Sequence, residues 1–387
     1  MVPGQGRFLV GERELDLLKA AGFSKVRMDV LWSEVEKQPG VFYFRKYDAI
    51  IQAMKRREIQ PMVILGLGNP LYSKDLTLQP PAVQAGYERY ATETVRHFRG
   101  QGIIWELVNE PNHESFWQPE PNPDEYMRLA WRLLPRLRQL DPTAKFTAPG
   151  IAGSDPLFLQ RCFQQGLLRL VDGVTIHPYQ AFPTNKAPEK FLKEYNMVQQ
   201  LVRQYQPPGK QIPVLLGEWG YSSAAVPKEL DEATQASFLV RQSLLSLMMG
   251  SPVNILYDWK GDINGQYNPR DKEHGFGLLA PDGRIKPAYG ALQQMSRALS
   301  GQRFLKRLPS HEEDYLLAFT GPGQQTVAVW TSGTPHTVSI DGQEVFVSGR
   351  PRFLPVSPVA VSGPGFEESR QQPGYVNNSL KPLVFQP

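Results

Sequence analysis

The sequence predicts an α/β fold, a (β/α)8 TIM barrel with a small C-terminal antiparallel β-sandwich domain, and three observations carry that reading. Short apolar runs alternate with amphipathic stretches up to about residue 298. Those runs lack the polar alternation of a half-exposed sheet, so both of their faces are buried and the sheet they form is parallel. From about residue 302 the pattern changes to period-two segments separated by Gly and Pro, which is the signature of hairpins.

The strands of the barrel are read at KVRMDVLW (25–32), PMVILGL (61–67), IIWELVN (103–109), KFTAP (145–149), VDGVTIHP (171–178), PVLLGEW (213–219) and VNILYDW (253–259). A closed barrel needs an eighth, and the candidate for its first strand is GRFLV (6–10). Between the strands, ERELDLLKAA runs into Gly22, a good helix stop. Tyr47, Ile50, Ile51 and Met54 recur at helical spacing, as do Tyr126, Leu129, Ala130, Leu133 and Leu137. A doubly wound open sheet is the competing architecture, but it would carry a Gly-rich phosphate turn after its first strand, and none is present. Beyond the barrel, DYLLAFTG, QTVAVWTSG, HTVSIDG, QEVFVSG and FLPVSPVAVSG read as strands of the sandwich. The closing GPGFEESRQQPGYVNNSLKPLVFQP is polar and Pro-rich and reads as irregular. The expected division is a catalytic barrel over 1–299 and a sandwich with its tail over 300–387.

Composition bounds the partners. With 41% hydrophobic and 21% charged residues in 387, the chain is globular. Lys+Arg 42 against Asp+Glu 38 leaves a net charge of +4 without a basic run, so no nucleic acid is indicated. The single cysteine, Cys162, excludes an intrachain disulfide and a Cys-based zinc site and is read as a buried thiol. MVPGQGRFLVGERE has neither the basic start nor the apolar core of a secretory signal, and no run is long enough to span a bilayer. A cytoplasmic protein is expected, or a secreted one whose signal has been removed.

In such a barrel, catalytic groups stand at the C-terminal ends of strands. The second expected strand carries Arg27 and Asp29 and ends at Trp32; the fourth ends in Asn109 and Glu110; the sixth supplies His177 and Tyr179; the seventh Glu218 and Trp219; the eighth Trp259. That set suits a sugar. Indoles stack on the C–H faces of pyranose rings, amide and imidazole groups bond hydroxyls, and two carboxylates can protonate a glycosidic oxygen and attack its carbon. No metal and no organic cofactor is needed. Neither a G-x-S-x-G elbow, a phosphate loop nor an H-E-x-x-H helix occurs, and His113–Glu114 is only a fragment of a metal motif.

WELVNEPN (105–112) and the residues after it offer three acids. Alternation puts Glu106 on the same side as Glu110 but lower in the barrel, paired with Arg27 or another interior polar group. Glu114 falls in the following loop with Phe116 and Trp117, where Trp117, like Trp32, is either a sugar platform or a core or rim residue.

WELVNEPN, VTIHPY, LLGEWGYSS and YDWKGD together resemble the clan of retaining glycosidases built on (β/α)8 barrels. Within that clan the chain is most similar to glycoside hydrolase family 39, helped by AAGFSKVRMDVLWSEVEKQPGVFYFRKYDAII and HGFGLLAPDGRIKPAYGAL, over residues 15 to 298. The resemblance implies Glu110 as general acid/base and Glu218 as nucleophile. It implies Asn109 on the sugar 2-hydroxyl, Arg27 and Tyr179 orienting an ionised Glu218, His177 lining the pocket and Trp259 flooring the subsite of the cleaved sugar. A carboxyl separation of about 5 to 5.5 Å would then mean double displacement with retention. The charge of Glu218 and partial burial would keep Glu110 protonated in the free enzyme. GRFLV departs from the family, whose first strand carries a polar or histidine-bearing motif. The expected substrate is a β-linked oligosaccharide or polysaccharide; a non-catalytic carbohydrate-binding barrel and a transglycosylase are the alternatives.

Overall fold

The structure, a computed structural model, describes residues 11–180, 187–227, 229–261, 267–340 and 342–356. GRFLV and the closing tail lie outside the described residues. The chain divides into two compact units. One comprises the residues up to Tyr179 with Lys193–Trp219 and Val253–Leu256; the other comprises Gln180–Leu192, Gly220–Pro252 and everything from Tyr257 onward.

The first unit contains a seven-stranded parallel sheet whose spatial order follows the chain: Lys25–Asp29, Gln60–Leu65, Ile104–Leu107, Lys145–Ala152, Gly173–His177, Val214–Trp219 and Asn254–Leu256. The last strand returns into contact with the first, so the sheet nearly closes. With the helices between its strands this is the α/β TIM-barrel fold. All seven expected strands are present; the five from Gln60–Leu65 to Val214–Trp219 are buried on both faces as their apolar runs require, whereas Lys25–Asp29 and Asn254–Leu256 are half-buried. The expected helices also form. Glu12–Ala20 ends ahead of Gly22 at φ 91°, and Arg45–Arg56 and Pro123–Leu140 bury every apolar position named above.

Inside the sheet, Met62, Ile104, Leu215 and Val253 form an apolar layer. Two residues further along the same strands, period-two alternation returns the side chains to the interior and gives Glu106 and Gly217. Helix tyrosines tie down the strand ends: Tyr87 donates to the Leu65 carbonyl at 2.7 Å, Tyr126 to that of Leu107 at 3.0 Å and Tyr195 to that of Val214 at 2.8 Å.

In the second unit the antiparallel strands Arg303–Arg307, Asp314–Gly321, Gln324–Thr331 and Arg352–Val356 make one sheet, and His336–Ile340 pairs with Gln343–Val347 in another. Leu316, Ala318, Val327 and Val329 of the larger sheet pack against Ile340, Val345 and Val347 of the smaller, which makes the expected sandwich. Arg303–Arg307 was not among the strands read from the sequence, because basic residues flank the adjacent pair Phe304–Leu305 and no period-two alternation shows. On the opposite face Trp330 Nε1 donates to Glu189 at 2.8 Å, and Glu189 also accepts from the fully buried Arg241 at 2.9 and 2.5 Å. Among the described residues no helix is long and apolar enough to cross a membrane.

Candidate active site

One guanidinium organises the strand ends. Arg27 Nη1 donates to Glu218 Oε2 at 2.7 Å, Nη2 to Asn109 Oδ1 at 2.6 Å, and Nε to Glu106 Oε1 at 3.1 Å, with Nη2 reaching the same Glu106 oxygen. Its side chain is only 6% exposed. Tyr179 donates to the other oxygen of Glu218 at 2.7 Å. Glu218 is therefore held at both oxygens, and its orientation is set from two strands.

Strand alternation alone would not aim Glu218 inward, since Leu215 and Gly217 already take the interior positions. A register shift between Leu216 and Trp219, three residues against two on the neighbouring strand, is a bulge that brings Glu218 round. Gly217 makes this possible: a Cβ there would lie 2.0 Å from Thr175 Cγ2 and 3.1 Å from His177 Nε2.

The Ile104–Leu107 strand ends in strained backbone. Val108 (φ 64°) and Glu110 (φ 44°) both occupy left-handed space, at about 1 to 3 kcal/mol each. The turn they make around Asn109 is held by the Glu110 N–H, which donates to the Gly150 carbonyl at 2.6 Å. It delivers Glu110 to His177, whose Nδ1 lies 2.7 Å from Oε1. His177 Nε2 faces Arg27 Nη2 at 3.4 Å. Because a guanidinium only donates, Nε2 is the acceptor, so Nδ1 bears the proton and donates to a Glu110 carboxylate.

That network overturns the expected protonation of Glu110. Burial works upward on its carboxyl, but the hydrogen bond from His177, with the charges of Arg27 and His113, outweighs it and holds Glu110 below its ordinary value. Asp29, on the same strand as Arg27, goes the other way. Burial first, then the charges of Glu218 and Glu106, push it up to about 6 against the pull of Arg27.

Glu110, His177 and Glu218 each offer an atom within 4.8 Å of the other two, a composition that could hold a cation. The Arg27 guanidinium already supplies positive charge there, bonded to Glu218 and facing His177.

Of the residues read from the sequence, Arg27, Asn109, Glu110, His177, Tyr179 and Glu218 thus come together, and Glu106 pairs with Arg27 beneath them. Trp32 and Trp117 do not join them. The strand stops at Asp29, and Trp32 opens a helical turn, 1% exposed, stacked between Tyr72 and Tyr90 with its indole donating to Glu36 at 2.5 Å. Trp117 is 3% exposed and packs edge-on against Tyr126. Neither indole face is open to a sugar. Trp259 belongs to the second unit, where it is half-buried and meets Tyr289 edge to face at 6.2 Å. Glu114 is exposed in its loop. Gly150 and Gly217 were missed, although a glycine inside a strand pattern signals a close approach of backbone to another group.

A near-closed parallel barrel with two glutamates, an arginine, a histidine and a tyrosine at its strand ends defines the barrel glycoside hydrolases as a class. The family model described as cellulase (glycosyl hydrolase family 5) matches residues 11–249, more than half of the chain. The chain belongs to that family and is a glycoside hydrolase.

Solved structures resemble it in fold. A family 39 glycoside hydrolase from the gut symbiont Bacteroides cellulosilyticus WH2 aligns at TM-score 0.75 and 22% identity, over 89% of this chain and 78% of that one. A family 39 β-xylosidase from Caulobacter crescentus gives 0.66 and 19%, over 86% and 76%. A glucosidase from Croceicoccus marinus gives 0.61 and 17%, over 87% and 77%. The family 39 likeness read from the sequence is therefore seen in the fold. No curated protein matches the chain.

Proposed function

We propose that this glycoside hydrolase cleaves a β-linked oligosaccharide or polysaccharide with retention, Glu218 acting as nucleophile and Glu110 as acid/base. The observation that carries the reading is their spacing: an oxygen of Glu110 and an oxygen of Glu218 lie within 4.8 Å. That suits direct attack, whereas an intervening water needs carboxyl groups about 6.5 Å apart or more.

In the first step a Glu218 oxygen bonds to C1, the glycosidic C–O bond breaks, and the Glu110 proton passes to the leaving oxygen. In the second, Glu110 takes a proton from water, the water oxygen bonds to C1, and Glu218 departs as carboxylate. Arg27 and Tyr179 stabilise that departing charge. Asn109 spends its carbonyl oxygen on Arg27, which leaves its amide hydrogens for the sugar 2-hydroxyl. The catalytic domain is assigned to 1–299.

Glu110 enters the first step as an acid, so it takes up a proton before or during substrate binding. The test is turnover of an aryl β-glycoside by Glu218→Ala and Glu110→Ala. Both fall by at least about 10³-fold, and azide added to Glu218→Ala yields a glycosyl azide of inverted configuration. Wild-type turnover in either variant would overturn the assignment.

A further inference from the structure

Glu106 takes no part in the two steps above, yet it is wholly buried and its charge meets Arg27 directly. Its Oε1 accepts from both Nε and Nη2 of Arg27, which fixes the plane of the guanidinium. Nη1 is then directed at Glu218 and Nη2 also at Asn109. Oε2 of Glu106 is buried without a hydrogen-bond partner among the described residues, so the Arg27 pairing is what holds this side chain in place.

Above the Glu106 carboxyl lies Gly150. A Cβ at that position would sit 2.7 Å from Glu106 Cδ and 2.8 Å from Oε1, closer than real Cβ atoms approach. A second register shift, between Thr147 and Gly150, sets this residue facing the interior, and its carbonyl accepts from the Glu110 N–H. One glycine therefore touches both the carboxyl beneath Arg27 and the backbone of Glu110.

We propose that Glu106 is a positioning residue for the nucleophile, acting through Arg27, and that Gly150 is a glycine so that the Glu106 carboxyl can occupy that place. The inference rests on Glu218 being the nucleophile. Free Arg27 from Glu106, and its guanidinium no longer presents Nη1 to Glu218 and Nη2 to Asn109 together. Insert a methyl group at 150, and the carboxyl is displaced with the same result.

The test compares Glu106→Ala, Glu106→Gln, Gly150→Ala and the Glu106→Ala/Gly150→Ala double variant on an aryl β-glycoside, with circular dichroism confirming each fold. Glu106→Ala lowers kcat by about 100-fold with KM within about threefold. Glu106→Gln keeps an acceptor oxygen for Arg27 and recovers activity to within about tenfold of wild type. Gly150→Ala lowers kcat alone but costs nothing further when Glu106 is already Ala, because the obstructing carboxyl is gone.

Wild-type kcat in folded Glu106→Ala overturns the proposal, as does an equal effect of Gly150→Ala in both backgrounds. Should Glu106→Ala not fold, Gly150→Ala with unchanged kcat overturns it. Glu218→Ala is run beside them. If it is inactive while the Glu106 and Gly150 variants are normal, the positioning role alone fails; if it is active, the nucleophile assignment fails.

Discussion

His177 stands between Glu110 and Arg27, its Nδ1 2.7 Å from the Glu110 carboxylate and its Nε2 3.4 Å from the guanidinium. Through this ring the charge of the arginine on one strand fixes the tautomer that faces the acid on another.

A pH dependence follows from that pair. With its carboxyl held below the ordinary value, Glu110 carries a proton in the free enzyme only at acidic pH. For a substrate with a poor leaving group, kcat/KM should be highest on the acid side and fall as pH rises through that depressed value. His177→Leu removes the donor while burial remains, so the Glu110 carboxyl rises and the alkaline limb moves to higher pH. A kcat/KM profile of both proteins checks this, and superimposable limbs would refute it.

Arg27→Lys keeps the positive charge and loses the fork. A single ammonium cannot hold Glu106, Asn109 and Glu218 in the geometry that three guanidinium nitrogens provide. We expect kcat to drop by about 10²-fold or more, with a smaller change in KM. Steady-state kinetics on an aryl glycoside would show it.

Asp29 makes stability depend on pH in a definite direction. Its folded value is raised to about 6 from an ordinary 3.8, so between those values the native state binds more protons than the unfolded chain. Stability due to this group is fully present below the ordinary value and is lost as pH rises through about 6. Asp29→Asn lacks that loss and should gain on wild type by about 2 kcal/mol between pH 4 and pH 8. Urea unfolding at the two pH values measures the difference.

In the second unit, Glu189→Ala leaves Arg241 buried without its carboxylate and Trp330 without its acceptor. Breaking a buried pair from one side costs about 3 to 5 kcal/mol, seen as a lower denaturation midpoint. Glu189→Gln should recover part of it by keeping the acceptor for Trp330.

Much of this was legible in the sequence because strand alternation and strand ends are local features. VNEP and GEW each mark a strand end, and the barrel brings the two together although 108 residues separate Glu110 from Glu218. What was not legible depended on partners distant in the chain. Trp32 reads as a possible platform until Tyr72 and Tyr90 are seen enclosing it. Glu110 reads as a protonated acid until His177 is placed on it. The KFTAP strand was ended at its proline, yet it continues to Ala152 and carries Gly150 into the interior. Bulges break the alternation rule at Gly150 and Glu218, the two places where the site needs it broken.

The side-chain hydrogen bonds to the two glutamates proposed for catalysis come from Arg27, His177 and Tyr179, each on a strand or within two residues of one. None is supplied by the long segment 70–80, whose own polar contacts are chiefly turns such as Asp75 with Ser73 and Thr77. On the proposed assignment, substitutions or insertions in that segment leave each of those contacts in place, so turnover of an aryl β-glycoside should survive changes there.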